Sequence, residues 1–229
     1  MTTARTSPAP AWLLHRHPFR NTSLILDLFL PERGRVGVVA RGGRRNPVLA
    51  PFTPLWVDLK TGGGELSTLR QVEPRGPALP LRGPALYCGF YINELLVRLL
   101  HRDDAHAHLW LAYQDTLAAL SGETPLDISL RCFEMVLLEE IGYGLVLDQD
   151  TDGRPLNPDG LYQWVPGQGL IIDPGGYPGD LLLALGEERW SDDVRKLAKA
   201  LLRAALASHL GGRPLRSREL FRDGGAIDS

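Results

Sequence analysis

Apolar and polar positions alternate along the first third of the chain. Leu24, Leu26 and Leu28 lie two residues apart, as do Leu55, Val57 and Leu59. That is the period of a strand with one buried face. The pattern predicts strands at residues 11–16, 23–30, 35–40, 52–60 and 65–72. Turn chemistry separates them. Pro31-Glu32-Arg33-Gly34 places Pro early and Gly late, and Thr61-Gly62-Gly63-Gly64 turns the chain again. Short strands in succession, with no helix among them, fit a small five-stranded barrel. An oligonucleotide-binding barrel and an SH3-like barrel both satisfy this pattern, and periodicity does not separate them.

Residues 74–84 form a Pro/Gly-rich linker with four prolines. Beyond it the apolar period lengthens to that of a helix. Residues 85–101 carry Tyr87, Tyr91 and Leu95 on one stripe, with Glu94 and Arg98 as an i,i+4 pair. Residues 104–120 and 126–141 repeat the pattern, and Gly142 and Gly144 end the second of these. Residues 145–178, rich in Gly, Pro and Asp, read as an irregular insertion with one small hairpin. A short helix is expected at 180–185. Ser191 then caps a helix running to about Leu210, with Asp192 and Asp193 in its first turn. Gly211 and Pro214 end it, and a last short helix is expected at 215–222. Residues 1–10 and those after Asp223 read as loose tails. The expected class is α+β: a barrel domain at 1–80, then an all-α domain at 81–229 with the insertion at 145–178.

A chain of 229 residues, 44% hydrophobic, can bury a real core. Its longest apolar runs fall far short of a membrane span, and its start lacks the apolar centre of a signal peptide. Cys88 and Cys132 sit in apolar helical patterns and read as reduced, buried thiols, which places the protein in the cytoplasm.

The net charge of -2 argues by itself against a nucleic-acid binder, but the charges are segregated. Residues 1–80 hold 11 basic against 5 acidic residues, a net of about +6. Residues 103–193 hold 3 against 18, about −15, and residues 194–222 hold 8 against 1, about +7. In the barrel segment, Arg33, Arg35, Arg41, Arg44 and Arg45 fall in a turn and a loop, with Arg20 in another turn. Such a cluster at one rim makes a phosphate track, because each neutralised phosphate releases counterions. Trp12, Phe19, Phe52 and Trp56 are the aromatics on which bases would stack, although core burial is the commoner fate of such rings. On the last long helix, Arg195, Lys199 and Arg203 are spaced four apart opposite the apolar stripe, flanked by Lys196. Arg213, Arg216, Arg218 and Arg222 extend that charge. Few acidic residues lie nearby in sequence, which favours a polyanion or an acidic peptide as ligand.

Catalytic signatures are missing. The chain has no GxxxxGK[ST] loop, no GxGxxG after a strand, no GxSxG elbow and no HExxH. His101, His106 and His108 with Asp103 and Asp104 match no metal-ligand spacing. His15 and His17 alternate with Arg16 on a strand and supply only two ligands on one face. Neither an enzyme nor a bound cofactor or metal is expected.

Several blocks resemble the RecO family of recombination mediators. Trp12-Leu-Leu-His-Arg-His-Pro-Phe-Arg-Asn-Thr-Ser-Leu-Ile-Leu is similar to the opening strands of that family. Gly34-Arg-Val-Gly-Val-Val-Ala-Arg-Gly-Gly-Arg-Arg, Pro51-Phe-Thr-Pro-Leu and Tyr91-Ile-Asn-Glu-Leu-Leu-Val-Arg-Leu-Leu follow in the family's order. So do Phe133-Glu through Glu140-Ile-Gly-Tyr-Gly-Leu and Arg213-Pro-Leu-Arg-Ser-Arg-Glu-Leu-Phe. The resemblance implies an N-terminal oligonucleotide-binding barrel, a helical C-terminal domain and a non-enzymatic role in DNA repair at the nucleoid. It implies binding to single- and double-stranded DNA, annealing of complementary strands, and help to RecA in replacing the single-stranded-DNA-binding protein. RecR and the acidic tail of that binding protein are the implied partners. Arg20, Arg33, Arg35, Arg41, Arg44, Arg45, Arg195, Lys196 and Lys199 are the candidate DNA contacts. Arg131 and Arg203 are candidates for docking the tail, which needs a basic group beside an apolar cleft. Many relatives carry a four-cysteine zinc site in the insertion. Leu147-Asp-Gln-Asp-Thr-Asp-Gly, the matching stretch here, has no cysteine. A rival reading is a protein adaptor whose barrel binds peptide.

Overall fold

A computed structural model of the chain describes residues 8–61, 64–217 and 219–220. Five strands come first: β1 (Ala9–Phe19), β2 (Ser23–Leu30), β3 (Gly34–Ala40), β4 (Pro54–Lys60) and β5 (Ser67–Pro74). They close into a barrel in the order β1-β2-β3-β5-β4. The closing contact is parallel, Val38 with Ser67 and Val39 with Thr68. This topology decides between the two barrels: it is the oligonucleotide-binding fold. Leu13, Leu26, Leu28, Val36, Val38, Leu55 and Val57 fill the interior. The period-two leucines of β2 and β4 are thus the inward face, as alternation requires.

One irregularity organises the outer face. Between Leu13 and His15 the register of β1 against β2 shifts, so Leu13 pairs with Leu28 and His15 with Asp27. Leu14 is the extra residue of a bulge. Its carbonyl accepts a hydrogen bond from Asn93 Nδ2 at 3.1 Å, and Tyr113 Oη donates to Asn93 Oδ1 at 2.7 Å. The helices α1 (Gly83–Leu99) and α2 (Ala107–Leu120) supply these two buried side chains. Trp12, Phe29, Tyr113 and Trp110 pack edge to face beside them.

The chain divides into two compact units, residues 1–123 with 215–229, and residues 124–214. The first therefore holds α1 and α2 together with the barrel, rather than the strands alone. Gly34 shows how closely the segment before α2 is stitched to β3. It has φ of +61°, and a Cβ there would lie 1.6 Å from the Asp104 carbonyl oxygen. Asp103 N–H donates to the Arg35 carbonyl at 2.8 Å in the same place.

The second unit contains α3 (Leu126–Glu140), a small sheet of β6 (Leu161–Val165), β7 (Gly169–Ile172) and β8 (Tyr177–Pro178), then α4 (Gly179–Gly186) and α5 (Asp192–His209). Helices α3 and α4 both pack on α5, whose buried stripe is Val194, Leu197, Ala198, Leu201, Leu202, Ala205 and Leu206. The insertion is more ordered than its composition suggests. The expected hairpin is β6–β7, and β8 adds a third strand. Tyr162, 4% exposed, accepts the Asn157 N–H on its hydroxyl at 2.8 Å. A backbone bond from Thr151 to the Leu170 carbonyl ties the loop to this sheet, and one from Leu156 to the Asp148 carbonyl closes the loop on itself.

Several boundaries differ from expectation: β1 runs on to Phe19, β4 begins at Pro54, β5 spans Ser67–Pro74 and α2 begins at Ala107. Strand β1 begins at Ala9, inside the segment read as a tail, because Ala9 and Pro10 pair with Val57 and Trp56. Of the last expected helix, Ser217, Glu219 and Leu220 are helical, while Arg218 and residues 221–229 lie outside the described residues.

Candidate nucleic-acid interface

The barrel arginines do not share one rim. Along the β2–β3 hairpin, Leu30 pairs with Gly34 at the turn and Leu24 with Ala40 at the far end. Six residues separate these pairs, about 20 Å of strand. Arg33 and Arg35 sit at the turn end. Arg20, Arg41, Arg44 and Arg45 sit at the other.

The turn-end arginines are internally engaged. Arg33 pairs with Asp103 through Nε and Nη2. Arg35 Nε donates to Asp27 Oδ1 at 2.9 Å and its Nη1 to the Leu100 carbonyl at 3.3 Å. The Asp27 side chain is 3% exposed, so Arg35 neutralises a buried carboxylate, with Arg102 at 3.6 Å as its second cation. Arg35 is thereby committed to a buried carboxylate, and turning it to a phosphate would leave Asp27 short of a partner. Arg33 and Asp103 form an exposed pair whose charges offset one another.

The other end is open. Arg20, Arg41, Arg44 and Arg45 are all exposed. Two loops are joined there. Arg44 N–H donates to the Thr22 carbonyl at 3.2 Å, and its guanidinium to the Arg20 carbonyl at 2.8 Å. Arg20 lies over the Phe19 ring at 5.1 Å. Its left-handed φ of 51° turns the chain into β2. Below them Arg16, exposed on β1, donates to the Leu49 carbonyl at 3.0 Å. Arg70, exposed on β5, lies two positions past Thr68, the partner of Val39, toward the same end. Sequence reasoning passed over Arg16 and Arg70 because each is a lone cation on a strand, and only the register brings them toward the loops.

Of the four candidate stacking rings, Trp12 and Phe52 are buried at 4% and 2%. Trp56 is 41% exposed, but it pairs with Pro10 near the start of β1, away from the basic loops. Phe19 is the aromatic at the basic end.

The basic face of α5 is partly compensated, contrary to the sequence reading. Arg195 makes a two-pronged contact with Asp127 at 2.6 and 2.9 Å, and Lys196 Nζ reaches Asp193 at 3.0 Å. Burial works against the Asp127 carboxylate, but the Arg195 hydrogen bonds and charge hold it below its ordinary range. Lys199 and Arg203 are exposed on the same helix.

The two partner-docking candidates separate. The Arg131 side chain is 12% exposed and bound to the fully buried Glu134 at 3.0 Å, so it does not present a charge to a ligand. Arg203 is exposed, but neither lines the cleft of about 490 Å³ formed by Leu181, Leu183, Ala184, Arg189, Trp190 and Val194 with their neighbours. Arg189, paired with Glu187 at 2.6 Å, is the basic group beside that apolar surface.

Cys88 is buried in α1, and burial pushes the half-buried Cys132 thiol of α3 up to about 11. Neither belongs to the insertion, which contains no cysteine. Burial, then the neighbouring His17, lowers the pKa of His15.

Comparison with known proteins fits this geometry. The model described as recombination protein O N terminal matches residues 5–78, and the one described as recombination protein O C terminal matches residues 81–219. The chain belongs to the RecO family. It is 46% identical to the DNA repair protein RecO of Stutzerimonas stutzeri (strain A1501), over 93% of this chain and 92% of that protein. It is 43% identical to that of Pseudomonas aeruginosa (strain LESB58), over 92% of each. It is 43% identical to that of Coxiella burnetii (strain CbuG_Q212), over 96% of this chain and 99% of the relative. Membership places the protein in DNA repair and recombination. Among the described residues, no helix is long and apolar enough to cross a membrane.

Proposed function

We propose that this RecO-family protein binds single-stranded DNA along the loop end of its barrel and acts as a non-enzymatic recombination mediator. The observation that carries the reading is the gathering of Arg20, Arg41, Arg44 and Arg45 around Phe19 by two hydrogen-bonded loops. The turn between the first two strands is one that barrels of this fold use for oligonucleotides. Guanidiniums would hold phosphates, and Phe19 would take one base on its face. A strand held through its backbone keeps its pairing edges available, which is what annealing requires. Lys199 and Arg203 on α5 offer further positive charge for a second strand. Double-stranded DNA would meet the same guanidiniums through its phosphates.

The family resemblance adds the finer steps: annealing, replacement of the single-stranded-DNA-binding protein by RecA, and work with RecR in the cytoplasm at the nucleoid. For the acidic tail of the binding protein, the cleft beside Trp190 offers an apolar groove with Arg189 at its edge. Because Glu187, already paired with Arg189, and Asp180 line it too, the tail would have to displace that pair. The test is annealing of complementary labelled oligonucleotides coated with that binding protein. Acceleration by the wild type, lost in Arg41→Glu/Arg44→Glu/Arg45→Glu, supports the reading. Tail binding without any DNA retention at low salt would leave an adaptor instead.

A further inference from the structure

The bulge at Leu14 has a second effect on β1. In an unbroken strand His15 would share the inward face of Leu13. The register shift turns it outward, opposite Asp27, and His17 follows on the same face opposite Ile25. The two imidazole rings lie 4.0 Å apart between centroids. One ligand atom from each of His15, His17 and Asp27 lies within 4.8 Å of the other two, the single such group among the described residues. The two histidines are exposed and the aspartate is buried beneath them.

We propose that His15, His17 and Asp27 form a binding site for a divalent transition ion of the zinc class on the outer face of the first barrel hairpin. Two imidazole nitrogens and one carboxylate oxygen are a donor set that suits zinc, and also nickel and copper, over magnesium or calcium. Closing the group onto an ion asks the exposed His15 and His17 side chains to turn toward Asp27, whose carboxylate the Arg35 hydrogen bond fixes. The carboxylate is held from behind: both guanidinium contacts, Arg35 at 2.9 Å and Arg102 at 3.6 Å, fall on Oδ1. Oδ2 is therefore the oxygen for the ion, and Arg35 is the outer partner that fixes its direction. With three protein ligands and an open side, the fourth position belongs to water or to an incoming oxygen anion. The same two guanidiniums repel a cation, so micromolar affinity is expected rather than the tighter binding of thiolate cages. The site is independent of the family's cysteine cage, whose ligands this chain lacks.

The experiment is zinc titration of the untagged, chelator-stripped full chain by calorimetry, without DNA. One ion per chain is expected, with at least a tenfold weaker affinity in His17→Ala and in His15→Gln. His101→Ala, on an exposed residue outside the group, should bind as the wild type does. Thermal melts show whether each variant is folded, and His17, being exposed, is the safer substitution. Cobalt in place of zinc should give visible d–d bands without a thiolate charge-transfer band. No zinc retained by the wild type, or zinc bound equally by folded His17→Ala, overturns the proposal. Binding that disappears only when Cys88 and Cys132 are alkylated overturns it too.

Discussion

The Arg44 guanidinium donates a hydrogen bond to the Arg20 carbonyl oxygen at 2.8 Å, which clasps the β1–β2 turn to the β3–β4 loop. Arg44 thus positions the loop end of the barrel as well as charging it. The Arg41 and Arg45 side chains contribute charge, while the Arg45 backbone N–H donates to the Gly42 carbonyl at 3.2 Å, a bond that an alanine would keep. Arg41→Ala and Arg45→Ala should each lower the slope of log affinity against log salt by about 1. Arg44→Ala should do the same and cost further affinity at every salt concentration. Salt titrations of the three single variants check this.

Phe19 separates stacking from charge. Phe19→Ala should weaken single-stranded DNA binding by about 1–3 kcal/mol while leaving the salt slope unchanged. Trp56→Ala, on the exposed ring away from the basic loops, should leave affinity within error. Anisotropy titrations at fixed salt distinguish the two.

Arg35 should behave as a structural residue. Its removal leaves the 3%-exposed Asp27 carboxylate with only Arg102 at 3.6 Å. Breaking a buried pair by removing one partner costs about 3–5 kcal/mol, and the remaining guanidinium puts Arg35→Ala near the low end. Urea unfolding should show this loss, while the DNA salt slope of the surviving folded fraction stays that of the wild type.

Much of the fold was legible in the sequence, and the reasons are local. The period-two leucines of β2 and β4 and the apolar stripe of α5 each declare a buried face without help from the rest of the chain. The parallel β3–β5 contact was not legible, since pairing between Val38 and Ser67 leaves no periodic trace. The site was legible as residue types but not as places. Arg33 and Arg41 are close in sequence, yet the hairpin carries them to opposite ends. Asp103, the partner of Arg33, comes from the segment before α2, seventy positions away. Likewise His15 and His17 gained a third ligand only because the Leu14 bulge set their register against Asp27.

Glu94 makes the return of the chain to the first unit sensitive to pH. Its carboxylate accepts the Arg216 N–H at 3.0 Å, the Ser217 N–H at 2.8 Å and the Ser217 hydroxyl at 2.7 Å. Burial raises its pKa, but these bonds outweigh it and hold the group below its ordinary 4.5. A depressed carboxylate contributes stability that is full above the unfolded value and is lost as pH falls through the folded one. Amide exchange at Ser217 should therefore accelerate below about pH 4, beyond the intrinsic trend. Glu94→Gln should show the faster exchange already at neutral pH.

The central claim is that the loop end of the barrel is the phosphate track. The most direct measurement is anisotropy of a labelled single-stranded oligonucleotide at several salt concentrations, comparing wild type with Arg41→Glu/Arg44→Glu/Arg45→Glu. Steeply salt-dependent, sequence-independent binding by the wild type is predicted, with a weaker and flatter dependence in the variant. An unchanged slope in the folded variant would contradict the account and remove the barrel loops from DNA binding.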